Sequence, residues 1–379
     1  MEVTQDVARR PRSFNGNGNG NGNGNGNGTR LIDLDVVRAI GLIGVCVMNY
    51  HGYLINEGAD YPPRTFLERI FDPWQGPLST RFAATFVTVA GMGITLLTRR
   101  SRASGDRAAI SADRWKLARR GLLLFAFGYF LDWVWNGTIL FYYGAFFMVG
   151  ALLFTLRSRY LIAIGVAAAL AAAALQRWSL QHDADWLLYG NAGVTRSPRD
   201  LLLDVFVRNT HPLLPWLLFL CAGIMLGRLL PFTARLRTQL IAAGVACVTI
   251  GYLGRTYLPW RPLLRSTAPF DRGLLYSLTT IGSSVVAVCV IGWLAERTQE
   301  STLTRALASA GQMTLTLYVG HVLVFNLLVH KLGWVHADGL GTALTFAACY
   351  WLFAILLAVG WLNLFRIGPL EWVYRKFGG

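Results

Sequence analysis

Charged residues are scarce in this sequence. Of its 379 residues only 15% are charged and 54% are hydrophobic, whereas roughly a quarter of the residues are charged in an ordinary soluble domain. The shortage of charge excludes such a domain, and the abundance of apolar surface excludes disorder over most of the chain. The composition therefore predicts an integral membrane protein.

Paired cysteines and nucleotide-binding loops are also absent from the sequence. Its five cysteines fall singly in apolar runs, without the spacing of a disulfide framework or a zinc site. The sequence has no P-loop, no Rossmann glycine fingerprint, no HExxH and no GxSxG elbow. An ATP-driven pump, a Rossmann enzyme, a zinc protease and an α/β-hydrolase therefore have no support, and we expect no metal site.

Residues 1–29 differ in composition from the rest of the chain. Three arginines are followed by seven consecutive Asn-Gly pairs between Asn15 and Gly28. Asn-Gly predicts a hairpin only where alternating apolar residues flank it, and none flank it here. The segment also lacks the short apolar stretch and the cleavage site of a secretory signal. We expect a disordered cytoplasmic leader over 1–29 and a single transmembrane domain over 30–379.

Ten apolar runs follow, each close to the length that spans a bilayer as a helix. They cover about 34–56, 79–98, 117–131, 138–156, 160–176, 212–228, 238–256, 274–294, 311–330 and 341–364. The runs are continuously apolar rather than alternating, which favours helices over strands. The sequence predicts an all-α, polytopic membrane bundle of about ten transmembrane helices, with nine and eleven left open.

The basic residues, 35 against 20 acidic residues, indicate how the bundle is oriented. With the N-terminus inside, the cytoplasmic segments hold 22 basic residues and the outer segments hold 12. The segment 99–120 alone holds eight, and it fixes the orientation most strongly. We therefore expect both termini in the cytoplasm. The net charge of +15 then belongs to the cytoplasmic face and does not indicate nucleic-acid binding.

Three polar residues of the first predicted span share one helical face. Asp35, Arg38 and Asn49 differ by 3 and 11 residues, and these steps correspond to about 300° and 20° around a helix. Charges inside a membrane span are costly, so such residues are functional candidates. This face either carries an ion pair that anchors the helix at the interface or lines a buried polar pathway from Arg38 to Asn49.

His51 lies two residues beyond Asn49, at the predicted outer end of the first span. On an unbroken helix its side chain points about 140° away from Arg38. His51 therefore joins the same pathway only if the helix bends or ends near Gly52. An isolated histidine at the interface is otherwise simply solvated.

Arg81, His211 and His321 are the candidate substrate-binding residues. Arg81 opens a stripe with three threonines at helical spacing. Threonines in membrane helices commonly bond to their own backbone, so it is Arg81 that makes this stripe a functional candidate. His211 precedes two prolines at the outer surface, where an interface anchor is the alternative. His321 lies near the middle of the membrane, where histidines face the bundle interior; packing and function are equally open there.

Four segments form an ordered set of motifs. They are Arg30–Ala39 leading to Asn49-Tyr50, Arg119-Arg120-Gly121, His211–Trp216 through Gly227-Arg228, and Gly311–Tyr318 with the tail Gly368–Trp372. In this order and at these span positions they resemble the YeiB-like and heparan-α-glucosaminide N-acetyltransferase-like families of the transmembrane acyltransferase superfamily. The resemblance covers nearly everything after residue 29. The family usually has Gly after the first-span Arg, where this chain has Ala39.

The resemblance implies transfer of an acyl group, typically acetyl, from cytoplasmic acyl-CoA to a hydroxyl or amine on the other side of the membrane. It implies a catalytic histidine in or beside the first span, and His51 is the residue whose position matches. Asn49 would orient that histidine or hydrogen-bond the developing oxyanion. The phosphates of CoA suit the planar fork of arginine donors. We expect them to be bound by Arg38, Arg119 and Arg120, on the predicted cytoplasmic side.

The partners expected from this interpretation are the lipid bilayer, acetyl-CoA or another acyl-CoA, and an extracytoplasmic acceptor such as a saccharide. We expect a multi-pass protein of a bacterial cell membrane, with a homodimer left open. The rival hypothesis is a transporter or flippase for a small or lipid-linked solute, which would use the same polar faces as a path. A scaffold without catalytic function is hard to reconcile with Arg38 and His321 inside spans.

Overall fold

Helices make up all the regular structure that is described. A computed structural model of the chain describes residues 31–184, 186, 197–259 and 265–379, and no strand occurs among them. The predicted leader over 1–29 lies outside the described residues. Ile32–Gly379 fold as one unit, and the division into a leader and a single domain stays a prediction.

Fifteen helices follow one another in the described residues. They are α1 (Ile32–Asn56), α2 (Phe66–Ile70), α3 (Arg81–Leu97), α4 (Arg99–Ser104), α5 (Arg107–Asp132), α6 (Leu140–Leu153), α7 (Ser158–Gln181), α8 (Pro198–Phe206), α9 (Leu213–Arg228), α10 (Ala234–Tyr257), α11 (Leu274–Arg297), α12 (Thr302–Gln312), α13 (Thr314–Phe325), which continues as a π-helical turn (Asn326–Lys331), α14 (Leu340–Leu364) and α15 (Pro369–Gly378). A helix lies at each of the ten predicted apolar segments.

Five of these helices are long and apolar enough to cross a membrane by length and composition. They are α7, α10, α11, α13 with its π-helical turn, and α14. The helices α3, α6 and α9 are apolar but shorter, and α1 and α5 carry charged residues. The protein is a helical membrane protein, as its composition predicted.

Close backbone approach joins α3 to α9. A Cβ atom at Gly223 would overlap the carbonyl of Thr88, and one at Gly91 would lie 2.5 Å from the carbonyl oxygen of Leu220. Glycine is therefore required on both sides of this contact, as is common where membrane helices pack by small residues. Thr95 Oγ1 adds a hydrogen bond across the contact to the Ile224 carbonyl, at 2.8 Å. The C-terminal ends of α3 and α9 consequently lie side by side.

The predicted span at 311–330 is divided between two helices. α12 ends at Gln312 and α13 begins at Thr314, and α13 has no side-chain cap within its own segment. Glu371 of α15 supplies that cap: its carboxylate accepts from the backbone N–H groups of Leu315 and Thr316 at 2.7 and 3.0 Å. The tail motif predicted from the sequence thus holds the start of α13 in place.

Candidate functional site

A cavity of about 380 Å³ opens where the C-terminal half of α1 meets the ends of several other helices. We call this end of the bundle the Asn49 end and the opposite end the Arg38 end. The polar residues that line the cavity include Asn49, Asn56, Thr80, Asp132, Asn136, Asn209, Thr210, His211 and Tyr318. Aromatic side chains, among them Trp74, Phe82 and Phe270, complete its wall. A concave, largely apolar site with a few convergent polar groups is the usual form of a small-molecule site.

One face of α1 forms part of the cavity wall. Val45, Asn49, Gly52 and Asn56 line it, and their spacing of three to four residues places them on the face that carries Arg38. The polar face predicted for the first span therefore leads into the cavity.

Asn49 is held in place by His321. Asn49 Nδ2 lies 3.2 Å from His321 Nε2, and His321 Nδ1 hydrogen-bonds the carbonyl of Tyr318. Because the Tyr318 carbonyl can only accept, Nδ1 carries the proton and Nε2 accepts from the amide of Asn49. His321 is buried, and Tyr50 donates to its carbonyl at 3.0 Å. His321 thus positions Asn49, while the Asn49 side chain faces the cavity.

His211 is held with one ring nitrogen available to the cavity. Thr210 Oγ1 donates to the carbonyl of Gly137 at 3.2 Å, and His211 Nδ1 lies 2.6 Å from the same hydroxyl oxygen. Because the single hydroxyl proton is already donated, Thr210 accepts from His211, and Nδ1 carries the ring proton. The lone pair of His211 is then on Nε2. Burial lowers the pKa of this histidine, which precedes α9, below its usual value, so the ring is neutral at pH 7.

Asp132 and Asn136 belong to the cavity wall but were not predicted as site residues. Asp132 ends α5, and its Oδ1 accepts from the backbone N–H groups of Gly137 and Thr138 at 2.9 and 3.3 Å. Tyr53 donates to the carbonyl of Asn136. The signal available in the sequence was an acidic residue at the end of an apolar run, with a glycine turn at Gly137 five residues later.

His51 and Asn49 are not brought together. α1 continues unbroken to Asn56, so the bend that would turn His51 toward the polar face does not occur. His51 is buried, and its Nδ1 hydrogen-bonds the Phe71 carbonyl at 2.8 Å. It is not among the residues that line the described cavity.

Arg81 is likewise not among the cavity-lining residues, although its neighbours Thr80 and Phe82 are; it ties α3 to α11. Its Nη1 donates to Thr280, and its Nη2 donates to Thr279 Oγ1 and to the Thr267 carbonyl at 3.0 and 3.2 Å. Its guanidinium stacks over the ring of Tyr276 at 5.0 Å. The threonines that follow Arg81 bond to backbone, Thr85 to Arg81 and Thr88 to Ala84. This stripe therefore stabilises helix packing.

Arg38 lies at the opposite end of α1 from the cavity. Its Nη1 donates to the buried carboxylate of Asp35 at 3.0 Å, and 31% of its side chain remains exposed. Gly93 of α3 leaves room beside the guanidinium, because a Cβ there would lie 3.1 Å from Nη2. Between the two ends, Phe86 of α3 packs against Gly41 on the same face of α1.

The C-terminal helix α15 brings the other predicted CoA-binding arginines near Arg38. Arg120 stacks over the ring of Tyr374 at 5.2 Å, and Arg38 also lies within electrostatic reach of that tyrosine. Arg119 lies against Gly379. Two arginines from distant parts of the sequence, Arg38 and Arg120, thus lie near one aromatic residue.

Comparison with known proteins identifies the family. The family model described as "Heparan-alpha-glucosaminide N-acetyltransferase, catalytic" matches residues 30–260, more than half of the chain. The chain belongs to this family. A second model, described as a protein of unknown function (DUF418), matches residues 226–378. The predicted resemblance to YeiB-like and heparan-α-glucosaminide N-acetyltransferase-like proteins is confirmed.

A curated relative supports the same assignment over a short stretch. The chain is 41% identical to "Uncharacterized protein YeiB" of Escherichia coli (strain K12) over 75 residues, which is 20% of this chain and 19% of the relative. The chain thus aligns with about a fifth of that relative's length. Residues of the two family matches meet at the site: Asn49 and His211 fall in the first match, and His321 falls in the second.

Proposed function

We propose that this protein is a membrane-embedded acyltransferase. It moves an acyl group, expected to be acetyl, from acyl-CoA bound at the Arg38 end to a hydroxyl or amine of an acceptor bound in the cavity at the Asn49 end. The observation that carries the proposal is His211, whose Nδ1 is engaged by Thr210 so that Nε2 can accept a proton. Membership of a family named for an acetyltransferase supports this reaction class.

The reaction needs one base and one oxyanion donor. The acceptor's nitrogen or oxygen attacks the thioester carbonyl carbon, and its proton passes to His211 Nε2. The negative charge that develops on the carbonyl oxygen accepts a hydrogen bond from the amide of Asn49, which His321 holds in place. The carbon–sulfur bond then breaks, and the thiolate of CoA leaves and takes up a proton. His211 is our candidate base, because the cavity contains it and does not contain His51.

The distribution of charge and the predicted topology indicate on which side of the membrane acyl-CoA would bind. We propose that the helices at all ten predicted segments cross the membrane, with both termini in the cytoplasm of a bacterial cell. The Arg38 end then faces the compartment that contains CoA, and Arg38, Arg119 and Arg120 are proposed to bind its phosphates. The pantetheine arm would pass along α1 toward Asn49, and Phe86 must move aside for it to do so.

The proposal is tested by following the acetyl group. Purified protein receives acetyl-CoA labelled in the acetyl group, together with a terminal α-glucosaminide, the acceptor in the family's name. Labelled acceptor and an equal amount of CoA thiol are expected. The same preparation should melt at a higher temperature in acetyl-CoA, because a ligand of the folded state stabilises it by mass action. No transfer and no change of melting temperature at millimolar acetyl-CoA would favour the transporter or flippase.

A further inference from the structure

A cluster of arginines at the Arg38 end has no part in the proposed transfer. Arg102 of α4 lies within electrostatic reach of Arg99 and of Arg228, the last residue of α9. The close packing of α3 on α9 explains this arrangement, because α4 follows directly on α3. Like charges held close together repel one another, and an anion bound between them offsets that cost.

The guanidinium groups of Arg102 and Arg228 each have a buried N–H group that lacks an acceptor among the described residues. Arg228 donates from Nη1 to Ser158 Oγ at 3.1 Å, and from Nη2 to the carbonyls of Phe154 and Leu156 at 3.0 and 2.7 Å. Its Nε and the Nη1 of Arg102 have no hydrogen-bond partner within the described part of the chain. A buried guanidinium N–H without an acceptor is costly. A phosphate held between the two side chains would offset their repulsion, and rotation of the Arg102 side chain would bring its unpartnered N–H group to the phosphate oxygens.

The surroundings of the cluster favour a lipid phosphate over a soluble one. Ser158, the partner of Arg228, is the first residue of α7. Further along that helix Ile162, Val166 and Leu170 are 51%, 46% and 52% exposed. Their spacing of four residues makes them one apolar stripe along the helix, open to the surroundings of the bundle. An acyl chain attached to a phosphate at the cluster would lie along this stripe.

We propose that Arg102 and Arg228 bind the phosphate of an anionic phospholipid whose acyl chain packs on the exposed face of α7. Arg228 is fixed by its bonds to the connection between α6 and α7, and Arg102 provides the second fork of donors. Neither arginine lines the cavity, and the lipid site does not depend on the acyl-transfer reaction. Arg228 belongs to the Gly227-Arg228 motif and holds the end of α9 to the connection between α6 and α7. Binding a lipid phosphate would give it a second role.

Binding of lipid to the full-length protein in a neutral detergent tests this site. Native mass spectrometry counts the lipids bound as short-chain phosphatidylglycerol or phosphatidylcholine is added. The wild type should bind one phosphatidylglycerol about ten-fold more tightly than phosphatidylcholine, because both lipids carry the phosphate but the arginines repel the choline cation of phosphatidylcholine. Arg102→Gln should lose this preference, and Arg102→Lys, which keeps the charge but not the planar fork, should lose part of it.

Arg100→Gln is the matched control, because Arg100 is exposed on the same short helix and the charge change is identical. It should keep the preference for phosphatidylglycerol. Equal losses in Arg100→Gln and Arg102→Gln, or no preference in the wild type, would overturn the proposal. An unchanged melting temperature in phosphatidylcholine verifies that each variant is folded, and Arg102→Lys replaces Arg102→Gln if it is not.

A CoA titration distinguishes the two sources of phosphate. If Arg102→Gln binds CoA as the wild type does, the phosphate at this site is that of the lipid, as proposed. If CoA displaces the bound lipid and Arg102→Gln weakens both ligands alike, the site belongs to the acyl donor and the lipid proposal is wrong.

Discussion

The cap that Glu371 places on α13 should contribute measurably to stability. Glu371 is only 9% exposed, and its carboxylate accepts two backbone N–H groups and the hydroxyl of Thr316 at the start of α13. Glu371→Ala removes all three acceptor contacts and leaves two N–H groups at a helix N-terminus without partners. Each such loss costs about 1–2 kcal/mol, so the variant should be destabilised by about 2–4 kcal/mol.

Glu371→Gln separates the charge from the shape of the side chain. The amide oxygen can still accept from Leu315 and Thr316, but the favourable interaction of the carboxylate with the helix dipole is lost, at a cost of about 1 kcal/mol. Melting of the purified protein in detergent should therefore occur at the highest temperature for the wild type, then Gln, then Ala. Glu300→Ala, at an exposed glutamate, is the matched control. If Glu371→Ala and Glu300→Ala melt together with the wild type, the capping argument is refuted.

The other predictions concern the base and the helix packing. Because burial lowers the pKa of His211, the ring stays neutral on acidification, and kcat/KM should hold through pH 6 and fall only at lower pH; a midpoint near the usual histidine value of about 6.5 would contradict this assignment. Gly223→Val should abolish the yield of detergent-stable protein, because its side chain would collide with the Thr88 carbonyl, whereas Gly360→Val, at a position with open space around it, should express normally. Equal yields of the two variants would show that the α3–α9 contact tolerates a side chain.

The helices and one face of the site could be predicted from the sequence. Apolar runs of membrane-spanning length locate the long helices, because a helix of about that length and composition is what the bilayer core requires. The face of α1 that carries Arg38 and Asn49 followed from helical periodicity alone, since both residues lie on one element. The same periodicity gave the reservation about His51, which the unbroken course of α1 bears out.

The remainder of the site depends on contacts between distant segments. Asn49 meets His321 from the other end of the chain, and nothing in either local sequence identifies that partner. Arg81 was predicted as a substrate-binding residue, but its threonine partners on α11 lie about 200 residues away and place it in helix packing. The tautomer of His211 depends on Thr210, its neighbour, and on Gly137 in a separate turn. Periodicity within one helix cannot show contacts between separate segments.

The most direct test of the proposed acyl transfer compares two histidines in one assay. The rate at which labelled acetyl passes from acetyl-CoA to the acceptor is measured for the wild type, His211→Asn and His51→Asn, each at the same amount of folded protein. If His211 is the base, His211→Asn should slow transfer by about 10²-fold or more, while His51→Asn should stay within a few-fold of the wild type. Wild-type transfer by His211→Asn together with loss of transfer by His51→Asn would contradict this account and favour His51 as the base.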